Sequence, residues 1–191
     1  MTYSGYRRVS LTPIWVIIGT NLILFIATAI NSNLIFLLGL SPAGLIERPW
    51  TIMTNLFVHG SIWHIFANMF TLFFFGRFLY LLIGERRFLL VYFIGGLLGN
   101  IFYLLLAPPL SIGIGASGAV FALGGALAVM RPRLKVIIFP IPAPLPLWVA
   151  VIGGFLVISF LPHIAWQAHL GGLVFGLIMG YFFRKRERYF F

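Results

Sequence analysis

Residues 111–120 read SIGIGASGAV, and they open an apolar segment that continues to Met130. Ser117 stands among glycines at the start of this segment. Small residues at such a point have two uses: they let neighbouring helices approach closely, and they leave a serine hydroxyl accessible to a reactant. Which use applies here depends on what the rest of the chain brings near Ser117.

The composition indicates a membrane protein. Of the 191 residues, 61% are hydrophobic and only 8% are charged, whereas roughly a quarter of the residues in soluble domains are charged. The length suits a single domain, residues 1–191. The chain has no cysteine, which excludes disulfides, thiol nucleophiles and thiolate metal sites. The lipid bilayer is therefore the expected surroundings of most of the surface.

Six segments approach the roughly 20 apolar residues that a membrane-spanning helix needs. Prolines in FPIPAPLPLW, residues 139–148, interrupt the approach to the fifth segment and predict a loop or an extended lead-in there. The predicted fold class is an all-α membrane protein with six transmembrane helices. The predicted spans are Pro13–Ile30, Ile62–Ile83, Phe88–Leu106, Ile114–Met130, Leu145–Leu161 and Ile164–Phe183.

The basic residues predict the orientation. With six spans, every lysine and arginine except Arg48 falls on one side of the membrane, and the positive-inside rule places that side and both termini in the cytoplasm. The N-terminal segment lacks a small-residue cleavage site and is interpreted as a cytoplasmic tail before a retained span. Topology and anionic lipid account for the net charge of +10, so no nucleic-acid partner is expected.

The segment between the first two spans, residues 31–61, is long and apolar but is broken by glycine and proline. The breaks are at Gly39, Pro42, Gly44 and Pro49. Such a segment is too interrupted to span the membrane. It is interpreted as a re-entrant or interfacial element in the outer leaflet, with an ordinary external hydrophobic loop as the alternative.

Polar side chains at membrane depth are few, and such groups are costly and usually functional. In the predicted topology, the second, fourth and sixth spans enter from the outer face, and His64, Ser117 and His169 lie within their first two turns. At 1.5 Å per residue, this is roughly 5–10 Å below the outer end. His64 and Asn68 are four residues apart and share a helix face. Each residue alone also fits helix packing or an interhelical hydrogen bond. Together they supply a nucleophile, a base and an oxyanion site.

The acidic residues argue against other chemistries. The chain has only Glu47, Glu85 and Glu187, and none lies in the middle of a predicted span. An aspartyl protease needs two carboxylates, a zinc protease needs an acid beside its histidines, and a proton-coupled transporter normally needs a carboxylate within the membrane. No metal or organic cofactor is expected. Because no carboxylate is available to orient a histidine, a catalytic serine and histidine would have to work as a dyad.

Several motifs resemble those of the rhomboid intramembrane serine proteases, over about residues 10–183. GASG, residues 115–118, is similar to the family's Gly-x-Ser-Gly, which implies that Ser117 is the nucleophile and that Gly115 and Gly118 support it. AHLGGLVFG, residues 168–176, resembles the family's Ala-His-x-x-Gly-x-x-x-Gly, which implies that His169 is the general base. The tails 1–10 and 184–191 then lie outside the membrane core.

The second span and the first loop extend the resemblance. HGSIWHIFANMF, residues 59–70, resembles the family's second-span signature, which implies that His64 and Asn68 stabilise an oxyanion. The loop 31–61 resembles the family's membrane-embedded first loop. His59 is left with two interpretations, as a support near the active site or as an interfacial residue.

The spacing around the two motifs also makes physical sense. Gly172 and Gly176 share a stripe with His169, so the sixth span can approach the fourth and bring His169 within reach of Ser117. Phe121, four residues after Ser117, can stack on the His169 ring.

Three residues depart from the family's usual pattern. Thr51 follows Trp50 where many members have arginine, Tyr80 stands where a glutamate is common, and Phe121 replaces a frequent tyrosine. They leave the anchoring of the first loop and the fine tuning of the site open.

The resemblance implies an intramembrane serine endopeptidase with a rhomboid-like six-helix bundle. Its expected substrates are transmembrane proteins, cleaved near the outer face of a prokaryotic plasma membrane. A non-catalytic protein that binds transmembrane clients is one alternative. A channel or transporter lined by His64, Asn68 and His169 is the other. The sequence leaves the substrate and the oligomeric state open.

Overall fold

The computed structural model describes residues 10–137, 143–162 and 164–187. The ends of the two predicted tails, residues 1–9 and 188–191, and part of the proline-rich stretch, residues 138–142, lie outside the described residues. The helices are α1 (Thr12–Ile30), α2 (Asn33–Leu38), α3 (Thr51–Thr54), α4 (Ile62–Thr71), α5 (Arg77–Ile83), α6 (Glu85–Leu106), α7 (Ser117–Met130), α8 (Leu147–Ser159) and α9 (Trp166–Glu187).

Shorter elements join these helices. A 3-10 turn, Asn55–Phe57, follows α3, and a π-helical segment, Leu72–Gly76, joins α4 to α5 without a break. The strands β1 (Lys135–Val136) and β2 (Leu145–Pro146) pair antiparallel before α8. The described part of the proline-rich stretch is thus an extended lead-in to α8, as its prolines predict.

Four helical segments are long and apolar enough to cross a membrane: Thr12–Ile30, Ile62–Ile83, Glu85–Leu106 and Trp166–Lys185. Two shorter apolar helices, α7 and α8, lie within the fourth and fifth predicted spans. The 14 residues of α7 extend about 21 Å at 1.5 Å per residue, less than the roughly 30 Å of a hydrocarbon core. The chain is a mostly helical, multi-pass membrane protein. That it crosses the membrane six times stays a prediction.

The centre of the molecule is α7, which packs against α6 and α9. Glycine allows the backbones of α7 and α9 to touch. A Cβ atom on Gly172 would lie 1.9 Å from the carbonyl oxygen of Gly118, and one on Gly176 would lie 2.1 Å from that of Ala122. Such contacts are possible only without side chains. The glycine stripe predicted on the sixth span is therefore the contact between α9 and α7.

The segment between α1 and α4 folds back on the bundle through its backbone. Leu40 and Gly113 exchange two hydrogen bonds, of 2.9 and 2.7 Å, and the Ala43 N–H donates to the Pro109 carbonyl at 2.9 Å. This pairing fixes the first loop to the residues that lead into α7. The loop contains no span, as its glycines and prolines predict, and its depth in the membrane stays a prediction.

Side chains from the first loop also cap the C-terminal end of α2. The last carbonyls of this helix have no partner within the helix. The three donors and their acceptors are Arg48 to the Phe36 carbonyl, Trp50 to the Leu37 carbonyl at 2.9 Å, and Thr54 to the Leu38 carbonyl at 2.7 Å. Thus, although no arginine follows Trp50, the loop is anchored by Arg48, which lies two residues before Trp50.

Candidate active site

Ser117 is the first residue of α7, and the backbone before it is unusual. Gly115 has a φ of 120°, which residues with a side chain rarely adopt. A Cβ atom at Gly115 would lie 2.6 Å from Nε2 of His64 and 3.7 Å from Oγ of Ser117. Glycine at this position therefore lets the chain pass between the two side chains while turning into the helix.

The structure brings Ser117 and His169 together. Oγ of Ser117 and Nε2 of His169 are 2.7 Å apart, a hydrogen-bonding distance. The His169 side chain is 5% exposed, and its ring lies on that of Phe121, with centroids 4.7 Å apart and an interplanar angle of 32°. Phe121 thus packs against the histidine ring, as expected, and unlike a tyrosine it has no hydroxyl group.

The second nitrogen of the His169 ring is buried. Within the described residues, Nδ1 of His169 has no hydrogen-bond partner, so no carboxylate orients the ring. In the tautomer with the proton on Nδ1, Nε2 can accept the proton of the serine hydroxyl. The pair therefore has the geometry for proton transfer from serine to histidine.

The amide groups just before and at the start of α7 differ in their hydrogen bonding. The Gly115 N–H donates to the Asn55 carbonyl at 2.9 Å, and the Ala116 N–H points at Nε2 of His59, 3.5 Å away. In the described ranges of the chain, the N–H groups of Ser117 and Gly118 form no hydrogen bond. Free N–H groups at a helix N-terminus favour negative charge. This end of α7 can therefore stabilise an oxyanion.

His59 lies next to the backbone turn that leads into α7, and its ring faces that of His64. Its side chain is 1% exposed, and its ring meets that of His64 edge-on, with centroids 4.8 Å apart. Burial, followed by the proximity of His64, lowers the pKa of His59 to about 3. The ring is therefore neutral, and its Nε2 is available as an acceptor for the Ala116 N–H.

The two residues predicted on the second span lie one turn apart on α4. His64 lies in the first turn of α4, with its ring beside Gly115. Asn68 is buried one turn later and donates its side-chain N–H to the His64 carbonyl at 2.9 Å. Within the part of the chain that the structure describes, neither side chain forms a hydrogen bond with Ser117.

Gly118 lies where three helices cross. A Cβ atom there would be 3.2 Å from the Ala168 carbonyl oxygen of α9 and 3.8 Å from the Gly99 Cα of α6. The glycine after the serine therefore permits the close approach of the helix that carries His169.

Sequence reasoning missed a polar pair close to Ser117. Asn55 lies within the first loop, residues 31–61, and Asn100 lies within the third predicted span, Phe88–Leu106. Their side chains exchange two hydrogen bonds, of 2.9 and 2.8 Å. A lone asparagine in an apolar helix is a signal for Asn100. No local pattern in the sequence indicates its partner.

Comparisons with known proteins bear on the family of this chain. A family model described as Rhomboid domain matches residues 47–186. Rhomboid protein 1, mitochondrial, of Saccharomyces cerevisiae is 30% identical over 154 residues, which cover 71% of this chain and 42% of the yeast protein. The Bacillus subtilis protein YdcA, whose name marks it as a proposed rhomboid protease, is 29% identical over 150 residues, 73% of this chain and 70% of its own.

One similar protein bears a different name. Inactive RHOMBOID-like protein 8 of Arabidopsis thaliana is 30% identical over 139 residues, which cover 71% of this chain and 39% of the plant protein. The chain thus spans less than half the length of the yeast and plant relatives. Because the family model matches most of the chain, this protein belongs to the rhomboid family.

Proposed function

We propose that this protein is an intramembrane serine endopeptidase in which Ser117 is the nucleophile and His169 the general base. The observation that carries the proposal is the distance of 2.7 Å between Ser117 Oγ and His169 Nε2, at the N-terminus of α7. Membership of the rhomboid family supports it, as does the name of the Bacillus subtilis relative.

The reaction starts with proton transfer from Ser117 Oγ to His169 Nε2 as Oγ attacks the scissile carbonyl carbon. The oxyanion accepts hydrogen bonds from the Ser117 N–H and from the side chains of His64 and Asn68, the latter turning away from the His64 carbonyl. His169 then protonates the leaving amine. Water, with His169 again as base, hydrolyses the acyl-enzyme. Loss of one oxyanion donor typically costs on the order of 10²–10³ in rate.

The proposed setting is a six-helix bundle in the plasma membrane of a prokaryote. Both termini are cytoplasmic, the first loop is embedded in the outer leaflet, and the site opens near the outer face. This setting rests on the distribution of basic residues and on the first turns of α4, α7 and α9, which hold His64, Ser117 and His169. The substrates are transmembrane proteins with small residues at the cleavage point.

Covalent labelling of the detergent-purified protein with a fluorophosphonate tests the proposal. We expect the wild type to be labelled, and the Ser117→Ala and His169→Ala variants to remain unlabelled. An unlabelled wild type, beside a rhomboid protease that reacts under the same conditions, would contradict the proposal. Labelling that survives in Ser117→Ala would assign the reaction to another residue.

The second candidate function is the binding of transmembrane clients without cleavage. The observation that favours it is the similarity to a plant relative whose name calls it inactive. This function predicts a folded but unlabelled wild type. The labelling experiment therefore separates the two candidates directly.

A further inference from the structure

Two buried asparagines from distant parts of the chain form a closed pair beside Ser117. Asn55, in the 3-10 turn after α3, is 3% exposed, and Asn100, in α6, is 2% exposed. The Asn55 side chain donates to Oδ1 of Asn100 at 2.9 Å, and the Asn100 side chain donates to Oδ1 of Asn55 at 2.8 Å. The second amide hydrogen of Asn100 goes to the Ile52 carbonyl at 2.7 Å. Three hydrogen bonds thus hold the first loop against α6.

The backbone of Asn55 continues this connection to the serine. Its carbonyl accepts the N–H of Gly115 at 2.9 Å, and Gly115 holds the φ of 120° that leads into α7. Asn55 and Asn100 line the same small cavity as Gly115 and Ser117. Any displacement of Asn55 therefore reaches Ser117 through two peptide units.

The other end of the connection is a close contact between α6 and α9 near the site. Gly99, next to Asn100, lies so close to α9 that a Cβ atom would be 2.6 Å from the Ala168 carbonyl oxygen. Ala168 directly precedes His169. Asn100 is therefore fixed relative to the histidine, while Asn55 is fixed relative to the serine.

We propose that the Asn55–Asn100 pair is a positioning element that sets Ser117 relative to His169 by holding the Asn55 carbonyl under the Gly115 N–H. This inference rests on the proposed function of Ser117 and His169. An asparagine pair suits this task because each amide offers a donor and an acceptor in one plane, so the two side chains define a single relative orientation. Neither asparagine touches the reacting atoms in this mechanism.

The experiment measures the second-order rate constant of fluorophosphonate labelling per folded molecule. The variants are Asn55→Leu, Asn100→Leu and the double variant, each purified as the full chain in detergent. Leucine has nearly the shape of asparagine without its hydrogen bonds. We expect each single variant to react at least about tenfold more slowly, because small misplacements of reacting groups cost one to two orders of magnitude. We expect the double variant to be no slower than the slower single variant, because the pair acts as one unit.

A matched control is the buried Asn21 in α1. Its side-chain N–H donates to the Ile17 carbonyl of the same helix at 2.7 Å, and it has no part in the proposed mechanism. We expect Asn21→Leu to react at the wild-type rate. If either leucine variant at the pair fails to give monodisperse protein, Asn55→Ser and Asn100→Ser take its place, since serine is smaller and still polar but is too short to form the paired amide hydrogen bonds.

The outcomes separate this inference from the proposed function. Wild-type labelling rates in folded variants with lowered thermal midpoints would overturn the inference and leave the pair a purely structural contact. Additive losses in the double variant would also overturn it, because the two residues would then act independently. An unlabelled wild type would instead contradict the proposed function itself.

Discussion

At the scale of single residues, Gly115 shows how one backbone angle prepares the site. Its φ of 120° places the Gly115 N–H on the Asn55 carbonyl and directs the next residues into α7. The absence of a side chain leaves room for His64. The position thus combines two demands that only glycine meets.

The Gly115→Ala variant is expected to lose labelling by the fluorophosphonate by about 100-fold or more. Alanine in this conformation is strained by roughly 1–3 kcal/mol, and its Cβ would displace the His64 ring. The measurement is the labelling rate beside that of Gly19→Ala, since a Cβ atom at Gly19 would meet nothing within 4 Å. A Gly115→Ala rate close to that of the control would show that the turn tolerates a side chain.

The sequence predicted some of these residues better than others. Ser117 and His169 could be predicted to approach each other because each stands in a glycine-rich motif at the start of a span. The orientation of the Asn68 side chain could not be predicted from the sequence. A helical asparagine can donate to the carbonyl four residues back, as Asn68 does here to His64. The Asn55–Asn100 pair could not be predicted either, because hydrogen bonds between distant segments depend on the tertiary fold.

At the scale of elements, the contact between α7 and α9 determines where His169 lies. Gly172, Gly176 and Gly180 face the backbone of α7, and a Cβ on Gly180 would lie 2.5 Å from the Ala126 carbonyl oxygen. The spacing of four residues keeps the three glycines on one face of α9. Backbone contact along this stripe brings the start of α9 to the start of α7.

The Gly172→Ala variant is expected to lower the thermal midpoint of unfolding in detergent. The added methyl would lie 1.9 Å from the Gly118 carbonyl oxygen, and overpacking of this kind costs on the order of 1–3 kcal/mol. The matched control is Gly153→Ala in α8, where a Cβ would meet nothing within 4 Å. Equal thermal midpoints for the two variants would contradict the close contact.

Helix ends were less predictable than helix centres. The apolar run predicted a start near Ile114, whereas α7 begins at Ser117 because the preceding backbone is bonded to Leu40 and Asn55. At the other end of the molecule, α9 continues to Glu187 beyond the apolar run. Hydropathy reports the apolar length of a segment, and backbone hydrogen bonding decides where the helix stops.

At the scale of the whole molecule, the natural absence of cysteine makes the predicted topology directly testable. Ser32, between α1 and α2, and Arg133, between α7 and β1, are both exposed. In intact bacterial cells, we expect a membrane-impermeant maleimide to label the Ser32→Cys variant and to label Arg133→Cys only after permeabilisation. Labelling of both variants in intact cells would contradict the orientation derived from the basic residues.

The class of fold was predictable because a bilayer leaves the backbone few solutions. Long apolar segments must form helices, and four of them do so at full spanning length. The first loop was harder, because its structure depends on hydrogen bonds to other segments. Arg48, the one basic residue on the outer side of the predicted topology, appears in the sequence as a stray charge, yet it caps the end of α2.

The glycine stripe on α9 also bears on how this protein can change over generations. Where two backbones touch, no opposing side chain can become smaller to make room for a new one. Almost every substitution of these glycines is therefore harmful, and a second substitution elsewhere cannot compensate for it. The lipid-facing side of the same helix, with exposed residues such as Ile178 and Phe182, accepts many apolar exchanges. Divergence of the chain is thereby directed away from the Ser117–His169 geometry and onto the surface that meets lipid.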